Sequence, residues 1–272
     1  MESHVNQSPA IPKWSALLIE AIKKPGLIMK AYSAFHPYSV GNQILALVQC
    51  QMRGDLQPGP INTYLKWKEL GRFVKRGERA LTLCMPITCK RREENSDEEH
   101  TFTSFVYKAR WFVLSQTDGQ ELEPITIPEW DTERALSALN IERVPFDHTD
   151  GNVQGFARGR QLAINPLAQL FQKTFFHECA HILLHTGEGD FADGEATPRN
   201  LREVEAEAVA LLCCESLGLE GAEFCRGYIQ NWLRRENGFD AEAIPEKSAQ
   251  KIFRAADQII RAGRSENHPA TA

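Results

Sequence analysis

The sequence lacks a long apolar run, a signal-peptide pattern and any closely spaced pair of cysteines. No stretch approaches the roughly 18 consecutive apolar residues that a membrane helix requires. The opening segment, MESHVNQSPA, has no basic region followed by an apolar run, unlike a secretory signal. The seven cysteines include no CxxC pair, which disfavours both a disulfide framework and a cysteine zinc knuckle. We therefore expect a cytoplasmic protein with reduced thiols and no membrane partner.

The composition is that of an ordinary globular protein. The 272 residues are 42% hydrophobic and 25% charged, which is enough for one large domain or two small ones. Periodicity predicts helices followed by basic strands in the first half, and mainly helices with a small β element in the second. Residues 119–131 contain two prolines and no periodicity, so we interpret them as a linker. The sequence thus predicts an α+β fold with domains at residues 1–120 and 121–272.

The strongest motif is HECAH, from His177 to His181, within a helical pattern flanked by bulky apolar residues. Residues four apart lie on one face of a helix, so the two imidazoles can converge on one metal. Zinc accepts such nitrogens in a tetrahedral site, and a catalytic site leaves one position for water. Glu178 is then the general base that takes the proton of that water. The motif predicts a zinc-dependent peptidase site; the alternative is a helix with solvated histidines and glutamate.

A third protein ligand is expected on the next long helix. Glu203 and Glu207 fall on one face of that helix together with Ala210, and small residues there allow a close approach to the HExxH helix. We assign Glu203 as the third metal ligand. Glu207, one turn further on, is predicted to accept a hydrogen bond from a ligating imidazole. Glu205 points to roughly the opposite side and is the alternative ligand.

A further histidine, His185, continues the four-residue spacing of His177 and His181. On an unbroken helix, His177 and His185 lie about 12 Å apart along the axis, so one metal cannot accept both. The first glycine that could break the helix is Gly187. We therefore expect His185 to line the cleft or to cap the end of the helix.

A short strand is predicted at residues 161–165, immediately before the HExxH helix. From its position along the chain, we expect it to present an edge to which an extended peptide could add. At its end, Asn165 and Pro166 suit the start of a helix, with asparagine as the cap and proline at the first helical position.

The segment from Tyr64 to Arg92 is strongly basic. It contains nine lysines and arginines against two glutamates, a balance of +7 in a chain of net charge -5. Such cations with interleaved aromatic rings suit single-stranded nucleic acid, because phosphates and base faces are contacted together, although about half of such rings would be core in any domain. The aromatic residues of this half are Tyr64, Trp67, Phe73, Tyr107, Trp111 and Phe112.

Three segments of the first half carry a specific resemblance: YSVGNQILALVQ, PGPINTYLKWKELGRFVKRGERALTL and FVYKARWFVLSQTDG. They are similar to the N-terminal domain of ArdC-type antirestriction proteins over about residues 14–118. The resemblance implies binding of single-stranded DNA. The residues to which we assign DNA contacts are Asn42, Lys66, Trp67, Lys68, Arg72, Lys75, Arg76, Arg79, Lys108 and Arg110.

The second half resembles the compact zinc peptidases of the ImmA/IrrE type through AINP, TFFHECAHILLH and a later E-x-E-A-x-x-V-A helix. The resemblance implies a mostly helical, zincin-like domain with a small β-sheet and a Zn²⁺ ion. It assigns His177, His181 and Glu203 to the metal and Glu178 to the base. Many relatives have asparagine where this chain has Glu207, which leaves the choice among the three glutamates open.

Together these features predict a single-stranded DNA-binding protein with a zinc metallopeptidase domain. We expect an antirestriction or DNA-protection factor of a mobile element such as a plasmid, with an unknown protein substrate. One alternative is a DNA-protecting protein without enzymatic activity, whose metal is structural. Another is a regulatory peptidase that cleaves a repressor.

Overall fold

The structure, a computed structural model, describes residues 11–92, 99–148, 152–186, 197–237 and 244–265. Helices and small sheets both contribute, so the α+β fold predicted from the sequence is confirmed. The chain divides into two compact units. We call Leu27–Glu129 the hairpin unit, and Trp130–Arg264 together with the N-terminal residues up to Gly26 the helical unit. Within the described residues, no helix is long and apolar enough to span a membrane.

The described elements follow one another along the chain as helices, short strands and one long pair of strands. They are α1 (Trp14–Lys23), α2 (Leu27–Phe35), α3 (Val40–Arg53), β1 (Ile61–Thr63), α4 (Tyr64–Glu69), β2 (Arg72–Val74), β3 (Leu81–Arg92), β4 (Glu99–Val113), β5 (Thr117–Gly119), α5 (Thr132–Leu139), β6 (Glu142–Arg143), β7 (Gly155–Arg158), β8 (Gln161–Ile164), α6 (Phe171–His185), α7 (Arg199–Leu217), α8 (Ala222–Asn237) and α9 (Glu246–Gly263).

In the hairpin unit, the antiparallel sheet β1-β4-β3 packs beside α3, and β2 pairs with β5. Side-chain amides of α3 pair with the outer backbone edge of β3. Asn42 exchanges two hydrogen bonds with the backbone of Cys84, at 2.7 and 2.9 Å, and Gln49 does the same with Thr82, at 2.8 and 2.9 Å. A row of strand N–H and C=O groups is thereby satisfied without another strand.

The first helix, α1, packs against α8 and α9 of the helical unit. The backbone amides of Trp14 and Ser15 donate to the carboxylate of Glu246 at 3.0 and 2.9 Å. At its other end, Arg226 donates to the carbonyl oxygen of Ala21 at 2.8 Å. The partition into units therefore differs from the division predicted at residues 120 and 121. It assigns α1 to the helical unit and falls between Glu129 and Trp130, inside the predicted linker.

The helical unit is built around α7, which packs against α6, α8 and α9. Every residue of α7 from Val204 to Ser216 is buried, including three glutamates. Its alanines, at 206, 208 and 210, have no bulk to hold neighbouring helices apart. Helix α6 can therefore pack closely along α7, and this contact positions the candidate metal site.

The small sheet of the helical unit has the strand order β6-β8-β7. Strand β8 pairs with β6 in parallel and with β7 in antiparallel orientation, so the prediction that residues 161–165 present an open edge is wrong. The predicted helix start at Asn165 is also early. The Asn165 side chain accepts a hydrogen bond from Leu167 N at 2.9 Å and closes a turn, and α6 begins only at Phe171.

Candidate metal centre and basic surface

The two histidines of the HExxH motif lie on one face of α6, one turn apart. His177 Nε2 and His181 Nε2 are 3.0 Å from one another. Both side chains are largely buried between α6 and α7. Their ring nitrogens therefore point to the same place, as the four-residue spacing predicts.

Helix α7 brings Glu203 to the same point. Its Oε2 lies 3.5 Å from His177 Nε2 and 3.6 Å from His181 Nε2. Ligand atoms at about 2.1 Å from a tetrahedral ion lie about 3.4 Å from one another, so these three atoms fit a single zinc ion. Among the described residues they form the one group of histidine, cysteine and acidic side chains with metal-binding separations.

Electrostatics at this point favour a cation. Burial lowers the pKa of His177, but the adjacent carboxylates of Glu203 and Glu207 outweigh it and raise that pKa to about 9. Contacts with His177 and His181 hold the pKa of Glu203 well below its usual value. Glu203 is thus an anion across a wide pH range, directed at the two imidazoles.

Glu178 is buried beside the histidines, under the backbone of β7. A Cβ atom added to Gly155 would lie only 3.1 Å from Glu178 Cγ and 2.8 Å from Thr174 Cγ2. Glycine is therefore what permits β7 to pass this closely over the HExxH helix. Burial raises the pKa of Glu178, while the neighbouring His177 and His181 oppose that rise.

Glu207 lies beside the first histidine, as predicted from its phase on α7. Its Oε1 is 3.3 Å from His177 Nδ1, and the same oxygen accepts a hydrogen bond from Lys173. Burial raises the pKa of Glu207, but these two partners outweigh it and lower the pKa to about 2. Glu207 is thus an ionised carboxylate beside the nitrogen of His177 that faces away from Glu203.

The alternative ligand, Glu205, lies elsewhere. It is fully buried and accepts a hydrogen bond from His185 Nε2 at 2.9 Å, and Lys251 Nζ lies 3.2 Å from its Oε1. Two positions along a helix turn a side chain by about 200°, which carries Glu205 away from Glu203. His185 was predicted to cap the helix or to line the cleft. Its side chain is instead buried, and its Nδ1 lies 3.0 Å from His181 Nδ1.

The predicted DNA-contact residues of the hairpin unit separate into exposed and structural ones. Seven cations are exposed, and two of these have intramolecular partners: Lys66 pairs with Glu69 at 3.0 Å, and Lys75 donates to Ser115 O at 3.0 Å. The other five exposed cations lie on α4, on β4 and in the turn after β2. They are Lys68, Arg76, Arg79, Lys108 and Arg110.

Three predicted DNA contacts are instead used within the fold. Trp67 has 0% of its surface exposed, and its indole N–H donates to Phe112 O at 2.9 Å, so it offers no face for a base. The amide of Asn42 is occupied by Cys84. The guanidinium of Arg72 donates to Thr117 Oγ1 and Thr117 O at 2.8 and 3.0 Å, which ties β2 to β5. Trp67 and Asn42 were predicted to contact DNA from their residue types, but their partners within the fold leave them unavailable for it.

Comparisons with known families match one family to the first half of the chain and another to the second half. The family model described as the N-terminal domain of anti-restriction factor ArdC matches residues 14–118. A peptidase family model described as the IrrE N-terminal-like domain matches residues 137–225. The chain joins an ArdC-type domain to an IrrE-like domain. The resemblance predicted from the sequence is therefore confirmed.

Two crystal structures of the antirestriction protein ArdC from plasmid R388 are similar to the chain. The metal-free structure has 20% identity and a TM-score of 0.51, over 92% of this chain and 94% of that one. The Mn(II)-bound structure has 20% identity and a TM-score of 0.53, over 94% of this chain and 98% of that one. At this identity the likeness establishes the fold. No match is found among curated proteins.

Two lysines of the helical unit, Lys173 and Lys251, were not predicted from the sequence. Lys173 lies four residues before His177 on α6, so helical spacing alone could have suggested it. Lys251 comes from α9, 46 residues beyond Glu205, and no local pattern connects the two. Both neutralise buried carboxylates behind the candidate ligands.

Exposed aromatic rings of the ArdC-type domain accompany its cations. Phe73 on β2 is 58% exposed, and Tyr64 at the start of α4 is also exposed. On β4, Tyr107 is exposed, as are Phe102 and Phe105, which were not predicted. Trp111 and Trp67 are buried, in keeping with the expectation that about half of the rings belong to the core.

Proposed function

We propose that the chain binds single-stranded DNA and carries a zinc-dependent peptidase site, as an antirestriction or DNA-protection factor of a mobile element. The single observation that carries the peptidase part is the convergence of His177, His181 and Glu203, with Glu178 beside them. The ArdC-type match and the exposed cations support the DNA part. A cytoplasmic location is part of the proposal and agrees with seven cysteines that form no disulfide.

His177, His181 and Glu203 would hold the zinc through two imidazole nitrogens and one carboxylate oxygen, a donor set suited to zinc. When bound, zinc lowers the pKa of a coordinated water towards neutrality and polarises a scissile carbonyl. The crystal structure of ArdC from R388 contains Mn(II), so manganese is the competing ion to test.

Glu178 would move the protons. It follows His177 directly in the chain and is buried under β7. Its carboxylate would accept a proton from the attacking water and deliver it to the leaving amine. Because burial raises its pKa, Glu178 can hold that proton between the two steps.

The substrate of this site is proposed to be an extended protein segment. Strand β7 lies at one edge of its sheet among the described residues, and Gly155 brings its backbone against Glu178. A segment that pairs with the outer edge of β7 would pass close to the candidate base. Main-chain hydrogen bonds would supply affinity with little dependence on sequence.

Single-stranded DNA is proposed to bind the exposed cations and rings of the ArdC-type domain. Lysines and arginines would neutralise phosphates, and Phe73 and Tyr64 would stack on bases. A protein substrate on the same DNA would then meet the peptidase at a raised effective concentration.

The peptidase proposal is tested with zinc-loaded protein, an unfolded polypeptide substrate and the variant Glu178→Gln. Wild type should cleave, and Glu178→Gln should retain zinc but cleave at least about 100-fold more slowly, because general-base catalysis of this kind contributes that much. Cleavage by Glu178→Gln at the wild-type rate would refute the mechanism.

The DNA proposal is tested by fluorescence anisotropy with single- and double-stranded oligonucleotides over a range of salt concentrations. The double variant Arg76→Ala/Arg79→Ala should bind single strands more weakly and with a shallower salt dependence. The matched control is Lys23→Ala/Lys24→Ala, which removes two exposed cations of the helical unit, the last residue of α1 and the residue after it. Equal losses in both variants would indicate nonspecific charge and contradict the assigned surface.

The same variants separate the alternatives. A DNA-protecting protein without enzymatic activity should still shield single strands from a nuclease after Glu178→Gln, but should fail after Arg76→Ala/Arg79→Ala. A repressor-cleaving peptidase should cut one protein at a rate that added single-stranded DNA does not change. The proposed function predicts that added single-stranded DNA accelerates cleavage of a DNA-bound substrate.

A further inference from the structure

We propose that His185, Glu205 and Lys251 form a relay that fixes the orientation of the metal ligand His181 and thereby sets metal affinity. The inference rests on the metal site of the proposed function. It adds three positioning residues, contributed by α6, α7 and α9.

The relay is a continuous line of polar contacts. His181 directs Nε2 towards His177 and Glu203, which leaves its Nδ1 on the far side of the ring. That Nδ1 lies 3.0 Å from His185 Nδ1, and His185 Nε2 lies 2.9 Å from Glu205 Oε2. Lys251 Nζ closes the line at 3.2 Å from Glu205 Oε1 and 3.4 Å from Glu205 Oε2.

The chemistry of imidazole fixes the direction in which hydrogen bonds are donated along this line. A neutral imidazole that offers the lone pair of Nε2 to a metal carries its proton on Nδ1. His181 must then donate to His185 Nδ1, so His185 carries its own proton on Nε2 and donates to Glu205. The carboxylate accepts at the end of the line, and the ammonium of Lys251 balances its charge. Rotation of the His181 ring would break the first of these bonds, the one to His185.

Burial argues for a positioning role over simple packing. Glu205 has 0% of its surface exposed, and the side chains of His185 and Lys251 are almost fully buried. A buried ion pair rarely stabilises a fold more than apolar residues of the same volume would. Three polar side chains in the core directly behind a candidate ligand are therefore better explained by control of that ligand.

The first ligand has an analogous arrangement. Glu207 contacts His177 Nδ1 directly and is neutralised by Lys173. Glu205 points away from Glu203 and Glu207 and does not contact His181 directly. His185 spans that gap, which gives a use to the third histidine of the four-residue series.

The test compares His185→Leu with His185→Gln by zinc competition against a chromophoric chelator and by the visible spectrum of Co(II)-loaded protein. Leucine breaks the relay, so zinc affinity should fall about 10- to 100-fold and the cobalt bands should shift. Glutamine can accept from His181 through its carbonyl and donate to Glu205 through its amide, so it should restore near wild-type affinity and spectrum.

The matched control is Thr186→Val, on the next residue. Thr186 Oγ1 donates to Ile182 O at 2.8 Å, so valine removes a hydrogen bond from the same end of α6 without touching the relay. Its zinc affinity should equal that of wild type. If His185→Leu does not fold, Glu205→Leu/Lys251→Met removes both buried charges together and should show the same loss of affinity.

Several results would overturn the relay. They are wild-type zinc affinity and cobalt spectrum in a folded His185→Leu or Glu205→Leu/Lys251→Met, or a glutamine variant as weak as the leucine variant. Failure of wild type itself to bind zinc would overturn the proposed metal site as well, so the two failures are distinguishable.

Discussion

Arg226 is a buried charge on α8, and its guanidinium is surrounded by acceptors. It pairs with Glu215 of α7 and donates to the carbonyl oxygens of Ala21 and Ile22 at the end of α1. Its side chain is 4% exposed. A second acid, Glu223, lies 3.6 Å from Arg226 Nε but is 72% exposed. One guanidinium therefore has a buried and an exposed carboxylate partner.

Removal of the buried partner should be costly. We expect Glu215→Ala to lower the free energy of unfolding by about 3–5 kcal/mol, because Arg226 would keep its charge in the core without a buried counter-charge. Glu223→Ala should lower it by less than about 1 kcal/mol, because water screens an exposed pair. Urea denaturation measures both variants, and equal losses would contradict this account.

Exposed rings and buried rings should behave differently towards DNA. Phe73→Ala removes a ring that is 58% exposed, and should weaken single-stranded DNA binding at least about 5-fold, since one stacked base contributes roughly 1–3 kcal/mol. Leu65→Ala is the control, because Leu65 is an exposed apolar residue without an aromatic face. Equal DNA affinities in the two variants would refute stacking by Phe73.

Spacing and helical phase predicted much of the candidate site. The four-residue step placed His177 and His181 together, and the phase of α7 distinguished Glu203 and Glu207 from Glu205. The partners of Glu205 were not predictable, because Lys251 reaches it from a separate helix through tertiary packing. Burial is likewise a tertiary property, which is why Trp67 resembled a DNA contact in the sequence.

At the scale of elements, Glu246 anchors the start of α1. Its carboxylate accepts hydrogen bonds from the backbone amides of Trp14 and Ser15 in the first turn of α1, the groups that a side-chain cap would otherwise satisfy. Partial burial raises the pKa of Glu246, but these hydrogen bonds outweigh it and lower the pKa below its ordinary 4.5. The anchor is therefore strongest when Glu246 is ionised.

This anchor should be sensitive to acid. A carboxylate with a lowered folded-state pKa contributes stability above its unfolded pKa, and that contribution is lost as the pH falls through the folded value. Between about pH 5 and pH 3, the Tm of Glu246→Gln should therefore fall by less than the Tm of wild type does. The contribution of Glu246 to the free energy of unfolding should be below about 1 kcal/mol, because its side chain is partly exposed. The exposed Glu220→Gln should follow wild type, and identical curves for all three proteins would contradict the anchor.

Element types were easier to predict than element neighbours. Periodicity predicted helices in the first half, and one of them, α3, ends before Gly54, which takes the left-handed conformation with φ 72°. The neighbours of β8 are set by pairing with β6 and β7, which no pattern within residues 161–165 encodes. The association of α1 with α8 and α9 is equally nonlocal.

At the scale of the whole molecule, charge is distributed unevenly. The net charge is -5, yet residues 64–92 alone carry +7. Among the described residues, the buried acids lie in the IrrE-like domain, whereas the basic segment of residues 64–92 lies in the ArdC-type domain. Each half thus has its own chemistry: a candidate metal site with a candidate base beside it in one, and a cationic segment with exposed rings in the other.

The most direct test of this account is the zinc content of the purified protein and of two variants, measured by elemental analysis after dialysis. Wild type and Glu178→Gln should each hold one zinc ion per chain, because Glu178 is assigned to proton transfer. Glu203→Ala should lose most of it, because a carboxylate ligand is removed. Wild type without zinc, or Glu203→Ala with as much zinc as wild type, would contradict the central claim.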